Sequence, residues 1–325
     1  MRSRLCLLLS ALVVSSSLGT SLAHAQPFPA KPIRIIVPFA PGGNVDVTAR
    51  VVSTAMSKVL NQSVVVENRT GAGGKIGAEI AMKSPADGYT LMMGSNSSLS
   101  VAPSLYRDWP YDPATGVAPV SYLAAVPFVL IAHPGLGAGD IAAFIELARR
   151  KVGGVSMASA GNGTSNHLVG ELFQALTGTQ FLHVPYKGAG PALQDVVAGR
   201  VDVLFDQVTS SSAFIEQGRV KALAVSSADR WKSLPAVPTF REAGLADFVI
   251  TNFTGLVAPA GTPAEVINTL QRAAVQALQD ESVKKSFATM GVEAVGSTPE
   301  AFAQLIREDL GRWGRVVREK GIRLE

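Results

Sequence analysis

Cysteine is nearly absent from the 325-residue sequence, which contains only Cys6. This residue lies inside an N-terminal segment with the features of a signal peptide. It is not at the predicted cleavage point, so we do not expect a lipoprotein anchor. The mature chain would then contain no cysteine. Disulfide bonds, thiol chemistry and a cysteine-ligated zinc site are therefore excluded from it.

Charged residues are also scarce, at 17% of the sequence, whereas hydrophobic residues make up 47%. This balance excludes a disordered or fibrous protein. The formal net charge of +4 falls to +2 without Arg2 and Arg4 of the signal segment, since 29 − 2 basic residues then face 25 acidic ones. There is no basic stripe and no cluster of aromatic residues typical of RNA-binding domains, so we expect no nucleic-acid partner.

Hydrophobic runs long enough to span a membrane are missing. The run at residues 5–18 has about 14 residues, fewer than the ~20 that a bilayer requires. Basic residues precede it, and Ala23-His24-Ala25 fits the small-x-small pattern of a signal-peptidase site. The sequence therefore predicts a signal peptide at residues 1–25, export to the periplasm, and a soluble mature chain that begins near Gln26.

Catalytic motifs are missing as well. No G-x-S-x-G sequence occurs, so a serine hydrolase of the nucleophile-elbow type is not indicated. No H-E-x-x-H occurs, and His133, His167 and His183 are scattered along the chain, which argues against a zinc hydrolase. We expect a protein that is not an enzyme and has no metal site. An enzyme acting on an acidic substrate is the less favoured hypothesis, and turnover of the bound compound would distinguish it.

A glycine-rich loop at residues 71–77 superficially resembles a nucleotide-binding loop. Its glycines follow the spacing G-x-G-x-x-x-G, and no acidic residue ends the next strand. Lys75 is followed by Ile76, where a phosphate-binding loop needs serine or threonine. The loop fits neither nucleotide template, and we expect no cofactor.

Residues 33–50 contain the most informative pattern. The β-branched run at residues 33–37 predicts a buried strand, and Ala40-Pro41-Gly42-Gly43 predicts a tight turn. Asn44 offers an N-cap oxygen to a helix whose apolar residues recur through Leu60. Free N–H groups at a helix start, together with the positive end of the helix dipole, form a site suited to an anion. The alternative is a plain strand-to-helix turn without a ligand.

The same pattern returns in the second half of the chain. A strand at residues 155–160 leads into a glycine loop at residues 161–167, and Thr164 or Ser165 is positioned to cap a helix that ends at Gly178. Hydroxyl groups and free amides again point away from a helix start. We expect two such sites, one in each lobe, to close on the two ends of one acidic molecule.

Alternating strands and helices predict an α/β fold with parallel sheets, whose ligands bind beyond the carboxyl ends of the strands. Two long apolar stretches interrupt the alternation, at residues 120–133 and 248–258. We interpret them as crossovers between two lobes. The predicted domains after the signal peptide are the first part of lobe 1 (26–128), lobe 2 (129–249), and the second part of lobe 1 with the C-terminal helices (250–325).

Other helix starts carry recognisable capping residues. Asp140 is positioned to cap a helix that runs through Arg150. Thr262-Pro263-Ala264-Glu265 combines a capping box with proline at the first helical position. Thr298-Pro299-Glu300 predicts the start of the last helix, which is amphipathic.

Longer motifs extend along essentially the whole mature chain. Those in the first half are Pro38-Phe39-x-x-Gly42-Gly43-x-x-Asp46-x-x-x-Arg50, Glu67-Asn68-Arg69-x-Gly71-Ala72-Gly73-Gly74-x-Ile76-Gly77 and Pro85-x-Asp87-Gly88-Tyr89-Thr90-Leu91. Those in the second half are Gly161-x-Gly163-Thr164-x-x-His167, Val184-Pro185-Tyr186-Lys187-Gly188, Leu223-Ala224-Val225, Leu234-Pro235-x-Val237-Pro238-Thr239 and Ala258-Pro259-x-Gly261-Thr262-Pro263. In content and order these motifs resemble the Bug family, the exported substrate-binding proteins of tripartite tricarboxylate transporters.

The resemblance implies a two-lobed periplasmic binding protein of type II, a Venus flytrap with two crossover segments. It also implies a small carboxylate as ligand, either a dicarboxylic, tricarboxylic, amino or aromatic acid, held largely by backbone amides and bridging waters. The implied partners are the membrane subunits of a tripartite transporter. The alternative partner is a membrane sensor to which the protein delivers its ligand. We expect a monomer.

The predicted ligand-binding residues come from both lobes. Those in lobe 1 are Phe39, Gly42, Gly43, Asn44, Ser95 and Asn96, and those in lobe 2 are Gly163, Thr164, Ser165, His167 and Asp206. In this hypothesis the loop amides hold one carboxylate at each end, and Phe39 packs against the apolar part of the ligand. Each charge-assisted hydrogen bond would contribute roughly 1.5–3 kcal/mol.

Several polar residues have both a structural and a functional interpretation. Asp46 is interpreted as structural, bonding the amides of its own loop. His167 either contacts the ligand or lies partly buried against a neighbouring carbonyl. Asp206 either selects an amine or hydroxyl of the ligand, or holds water, or caps the next helix. Arg69 and Lys75 either steer acids towards the site or are merely solvated.

Overall fold

The computed structural model describes residues 28–151 and 153–319. The predicted signal peptide at residues 1–25 and the predicted mature terminus at Gln26 lie outside the described residues. Within the two described ranges, no helix is both long and apolar enough to cross a membrane.

Strands and helices alternate along most of the chain. The strands of the described residues are β1 Ile33–Val37, β2 Val64–Asn68, β3 Thr90–Ser95, β4 Val117–Ala132, β5 Val155–Ser159, β6 Phe181–Pro185, β7 Val203–Gln207, β8 Lys221–Val225, β9 Thr251–Pro259 and β10 Glu293–Ala294. The α-helices are α1 Asn44–Leu60, α2 Lys75–Met82, α3 Ala102–Leu105, α4 Ile141–Arg150, α5 Ser165–Thr177, α6 Ala189–Val197, α7 Val208–Glu216, α8 Ala264–Ala277, α9 Glu281–Thr289 and α10 Pro299–Glu319. Ser97–Val101 forms a π-helical turn.

The strands form two sheets that share β4. The first has the order β2-β1-β3-β9-β4, and the second has the order β4-β7-β5-β6. Strand β4 also pairs with β10 in the first sheet and with β8 in the second. Strand β4 pairs with β9 through Pro127 and with β7 from Phe128 onward. The two sheets are the centres of two lobes, and β4 and β9 correspond to the two predicted crossovers. The exact lobe boundaries stay a prediction.

Hydrophobic clusters cover both faces of each sheet, because successive strand side chains point to opposite faces. In lobe 1, Ile35 packs towards α1 and α8, whereas Ile36 belongs to the cluster on the other face. In lobe 2, Phe205 packs with Phe173 of α5, and Leu204 packs on the opposite face. These near-continuous apolar strands are typical of sheets buried on both sides.

The C-terminal helix α10 contacts the clusters of both lobes. Phe302 and Ile306 belong to a cluster of lobe 1. One and two turns further on, Asp309 is buried and Trp313 belongs to the cluster that contains Phe205 of lobe 2. The last helix therefore runs along the junction between the lobes.

Among the caps predicted outside the two glycine loops, those of Asp140 and Thr298 are confirmed and that of Thr262 is wrong. Asp140 accepts a hydrogen bond from the N–H of Ala143 at 2.8 Å, and Thr298 accepts one from the N–H of Ala301 at 3.2 Å. Thr262 does not cap α8. Its hydroxyl donates to the carbonyl of Pro259 at 2.8 Å and closes the turn after β9, so the helix begins one residue later than the capping box predicts.

Candidate functional site

A cavity of about 20 Å³ lies between the lobes, at the carboxyl ends of strands from both sheets. Lobe 1 contributes Phe39 after β1, the start of α1, and Ser95 and Ser97 at the end of β3. Lobe 2 contributes Ala160 after β5 and the starts of α5, α6 and α7. Ligand pockets have volumes of roughly 300–1,000 Å³, whereas one water molecule needs about 10–15 Å³. The cavity therefore has room for about one water molecule, and a larger ligand requires the lobes to move apart.

Asp46 holds the loop that precedes α1. Its carboxylate accepts hydrogen bonds from the N–H of Gly42 at 3.0 Å, from Nε of Arg50 at 3.0 Å and from Nδ2 of Asn68 at 2.9 Å. Burial raises the pKa of Asp46, but the hydrogen bonds from Arg50, Gly42 and Asn68 outweigh burial and lower the pKa below its ordinary value. The structural interpretation of Asp46 is confirmed. The Gly42 N–H, predicted to bind the ligand, is bonded within the loop.

The start of α1 borders the cavity through Gly43, Asn44 and Val45. Gly43 is the N-cap residue, so the capping role predicted for Asn44 is wrong. The helix begins one residue earlier than predicted, and the Asn44 amide instead donates to the Thr254 hydroxyl of β9 at 3.0 Å. The first N–H groups of a helix have no partner within the helix. These residues therefore bring amide donors and the positive end of the α1 dipole to the cavity.

Several buried side-chain atoms around the cavity have no hydrogen-bond partner within the described part of the chain. They are Oδ1 of Asn44, Oγ of Ser95, and both polar atoms of Asn96 and of Asn252. Asn44, Ser95 and Asn252 border the cavity. Because buried polar groups are normally paired, such a concentration is typical of a site that is completed by a bound molecule.

The polar groups of the second predicted loop are bonded to other groups of the protein. The N–H of Gly163 donates to Nδ1 of His167 at 3.2 Å. The Thr164 hydroxyl donates to the carbonyl of Gly161 at 2.7 Å. Ser165 donates its N–H to the hydroxyl of Ser97 in lobe 1 at 3.0 Å. None of residues 163–165 is among the described residues that border the cavity. Their predicted role as ligand donors stays a prediction that this geometry does not favour.

His167 is buried at the start of α5. Its ring stacks on the ring of His183, with 4.0 Å between centroids, and Nε2 lies 3.5 Å from a carboxylate oxygen of Glu171. Burial, followed by the neighbouring His167, lowers the pKa of His183 to about 4. The predicted contact with a carbonyl is wrong, because Nδ1 of His167 accepts the Gly163 N–H.

Asp206 is fully buried at the end of β7. Burial raises its pKa to about 7, although the Ser210 hydroxyl donates to its Oδ2 at 2.7 Å. The predicted capping role is wrong, because Gln207 is the N-cap residue of α7. Gln207, rather than Asp206, borders the cavity. Adjacent strand residues point to opposite faces, so the two side chains have different surroundings.

The bordering residues that escaped the sequence prediction include Asn166, Ala189, Gln207 and Asn252. The first three belong to helix starts, since Asn166 is the second residue of α5, Ala189 the first of α6, and Gln207 the N-cap of α7. Counted with α1, four helix starts meet at the cavity. Gly188, which precedes α6, could have predicted the start of this helix from the sequence. Asn252 lies within a crossover strand, for which no loop signal exists.

Charged side chains contribute little to the cavity surface. Asp46 is the only charged residue among the described residues that border it. Arg69 pairs with Glu67, and Lys75 pairs with Asp108, so their steering role stays a prediction. No group of three or more His, Cys, Asp or Glu in the described ranges could hold a metal ion.

Comparison with known families agrees with this arrangement. Residues 48–322 match the model of the tripartite tricarboxylate transporter family receptor. The chain belongs to this family. Among curated relatives of this receptor, Protein BugT of Bordetella pertussis (strain Tohama I) is 40% identical over 302 residues, which cover 93% of this chain and 93% of BugT.

Solved structures are similar to this receptor over nearly its whole length. A periplasmic transporter has a TM-score of 0.90 and 41% identity, covering 92% of this chain and 100% of the other. MatC from Rhodopseudomonas palustris with bound malate has a TM-score of 0.86 and 33% identity, covering 89% and 100%. Rpa4515 of R. palustris with adipate has a TM-score of 0.87 and 33% identity, covering 91% and 99%. The two-lobed periplasmic binding protein fold is confirmed.

The lobes of this receptor touch around the cavity. The N–H of Ala40 donates to the carbonyl of Lys187 across the cleft at 3.0 Å. A Cβ atom added at Gly190 of α6 would lie 2.0 Å from the carbonyl oxygen of Pro41. The Ser97 and Ser165 hydroxyls lie 2.6 Å apart on another side. The described geometry is therefore that of a closed cleft.

Proposed function

We propose that this protein captures a small organic carboxylate between its lobes. The observation that carries the proposal is the meeting of four helix starts at a cavity where Asp46, the only charged side chain among the described residues that border it, is already paired. Helix N-termini attract anions through their free N–H groups and their dipoles. A carboxylate can be held in this way without an arginine or lysine.

The residues proposed to bind the acid are centred on lobe 1. Gly43 and Asn44 contribute the α1 amides, Ser95 contributes a hydroxyl, and Phe39 packs against the carbon chain. From lobe 2, we extend the predicted set to Gln207 and Asn166, which border the cavity. The solved relatives with bound malate and adipate support a small dicarboxylic acid as the ligand.

The proposed biological role is uptake. The receptor is exported to the periplasm through its N-terminal segment, closes on its ligand, and delivers the unchanged acid to the membrane subunits of a tripartite tricarboxylate transporter. The family to which the chain belongs supports this role. Binding of the ligand-loaded receptor to reconstituted membrane subunits, compared with a periplasmic sensor domain, tests which partner receives the acid.

A thermal-shift screen against dicarboxylic, tricarboxylic, amino and aromatic acids tests the binding proposal. A true ligand present at about 100 times its dissociation constant should stabilise the protein by roughly 2.7 kcal/mol. Calorimetry should then give a single site, and chromatography should recover the acid chemically unchanged. The absence of any stabilising acid would contradict carboxylate binding, and accumulation of a product would reveal an enzyme.

A further inference from the structure

Asn252 is a polar residue in an unexpected place, within the crossover strand β9. Its neighbour two residues along, Thr254, is paired in register with Ser95 of β3. Residues two apart on a strand share one face. Asn252 and Thr254 therefore lie on the same face as Ser95, and the Asn44 amide bonds to Thr254 there. The Asn252 side chain is 1% exposed and borders the cavity.

The Asn252 amide has no partner at either end among the described residues. Exchanging its oxygen and nitrogen leaves the same result, because both atoms are unpaired. Asn166 also borders the cavity but is anchored, since its Nδ2 donates to the carbonyl of Phe205 at 2.6 Å. Leaving a buried polar group unpaired destabilises the protein, so an amide left free at both ends calls for a partner that both donates and accepts.

A carboxylate supplies only half of what this amide requires. Ionised carboxylates accept hydrogen bonds and donate none, so they satisfy Nδ2 of Asn252 and leave its Oδ1 unpaired. An ammonium group would donate, but the helix N-termini around the cavity disfavour a positive charge. The only acidic residue bordering the cavity in the described ranges, Asp46, is occupied by Gly42, Arg50 and Asn68. A neutral hydroxyl group donates and accepts at once.

We propose that Asn252 recognises a hydroxyl group on the bound acid, so that the receptor prefers hydroxycarboxylates to the parent acids that lack the hydroxyl. This inference rests on the proposed carboxylate binding and specifies the class of acid. Ser95 lies beside the same subsite, and its unpaired hydroxyl provides a second contact for that group.

Matched pairs of acids test the inference by calorimetry: malate and succinate, 2-hydroxyglutarate and glutarate, mandelate and phenylacetate. The wild-type protein should bind the hydroxylated member of its best pair at least about tenfold more tightly. Asn252→Ala and the similarly sized Asn252→Leu should reduce this ratio to near one, mainly by weakening the hydroxylated acid. Aspartate, the ammonium analogue of malate, should bind more weakly than malate.

A control variant separates recognition from the removal of any buried polar group. Thr48 of α1 also carries a buried, unpaired hydroxyl within the described residues, but it does not border the cavity. Thr48→Val should leave the ratio unchanged. The melting temperature of the ligand-free Asn252 variants should equal or exceed that of the wild type, since an unpaired amide is removed.

The outcomes distinguish this inference from the proposed function. If acids bind but the hydroxyl confers no preference, or the ratio survives in both Asn252 variants, hydroxyl recognition by Asn252 is wrong while carboxylate binding stands. If no acid of either kind binds to the wild type, carboxylate binding itself fails.

Discussion

The loop before α1 and the loop before α5 have the same sequence pattern, yet they differ in what their polar groups do. In the first, the Asp46 carboxylate accepts a hydrogen bond from a loop amide, and the start of α1 borders the cavity. In the second, the N–H of Gly163 bonds to His167, and Ser165 bonds across the cleft to Ser97. The first loop is arranged to hold a ligand, and the second is arranged to hold the other lobe.

A strand, a glycine loop and a helix start therefore define a donor site only when nothing nearby uses the donors. A histidine at the third position of α5 is sufficient to occupy one amide. In lobe 2 the start of α6 takes the place expected for α5, because Ala189 borders the cavity and Gly190 touches Pro41. The predictions below test this division of roles.

The largest expected effect comes from Gly190→Ala. Gly190 has no positive φ and lies inside α6, where alanine favours the helix by about 1 kcal/mol. The added methyl would meet the carbonyl oxygen of Pro41 of the other lobe at 2.0 Å. Overpacking costs roughly 1–3 kcal/mol, so the affinity for the carboxylate found in the screen should fall about tenfold to a hundredfold.

The control for this prediction is Gly311→Ala, a helical glycine of α10 whose added Cβ would meet only the Arg315 side chain at 4.0 Å. Small-angle scattering at saturating ligand should show a larger radius of gyration for Gly190→Ala than for wild type or the control. Equal radii and equal affinities would mean that α6 does not set the closed state.

Asp46→Asn should affect both the first loop and stability. The asparagine keeps one acceptor but loses the charge that faces Arg50. We expect the free energy of unfolding to fall by about 1–3 kcal/mol and the affinity to fall about tenfold. Because the pKa of Asp46 is lowered in the folded protein, its contribution is present above the unfolded pKa of about 4 and is lost as the pH falls through the folded pKa.

Chemical denaturation of Asp46→Asn and wild type from pH 7 to pH 3 measures this dependence. The difference between the two proteins should shrink on acidification. A constant difference across that range would show that the charge of Asp46 contributes nothing, and that the side chain acts by shape alone.

A smaller effect is expected from the contact between Ser97 and Ser165. Removing both hydroxyls should weaken ligand binding less than Gly190→Ala does, by about fivefold, since a typical hydrogen bond contributes about 1 kcal/mol. In a double-mutant cycle of Ser97→Ala and Ser165→Ala, the coupling energy should be of that order. Full additivity would show that the second loop does not hold the lobes together, and the role of the loop as a ligand site would regain support.

Asp206→Asn should have the smallest effect on binding, because Asp206 does not border the cavity. Its effect should appear in stability against pH. Burial raises the folded pKa to about 7, so the folded state binds the proton more tightly and wild-type stability should decrease as the pH rises from about 4 to 7. The variant should show a shallower decrease by calorimetric melting, and its ligand selectivity should match the wild type. A switch in selectivity would restore Asp206 as a ligand contact.

The fold was accessible from the sequence because apolar strands, glycine turns and capping residues are local signals. The helix after Asp140 and the end of α5 at Gly178 follow directly from such signals. The site was only partly accessible. Phe39, Asn44 and Ser95 lie at or after the ends of strands and were predicted, whereas Asn252 lies within a crossover strand. Its exposure to the cavity depends on the pairing of β9 with β3, which no local pattern encodes.

The continuity of β4 has a mechanical consequence. Sixteen residues run without a break from one sheet into the other, and β9 accompanies them as far as Pro127. A hinge made of two hydrogen-bonded strands resists bending and twisting elastically, whereas a flexible loop allows nearly free rotation. We therefore expect the two lobes to open by rotation about one axis, against an elastic resistance from β4 and β9. One pair of spectroscopic labels across the entrance would then report the whole motion.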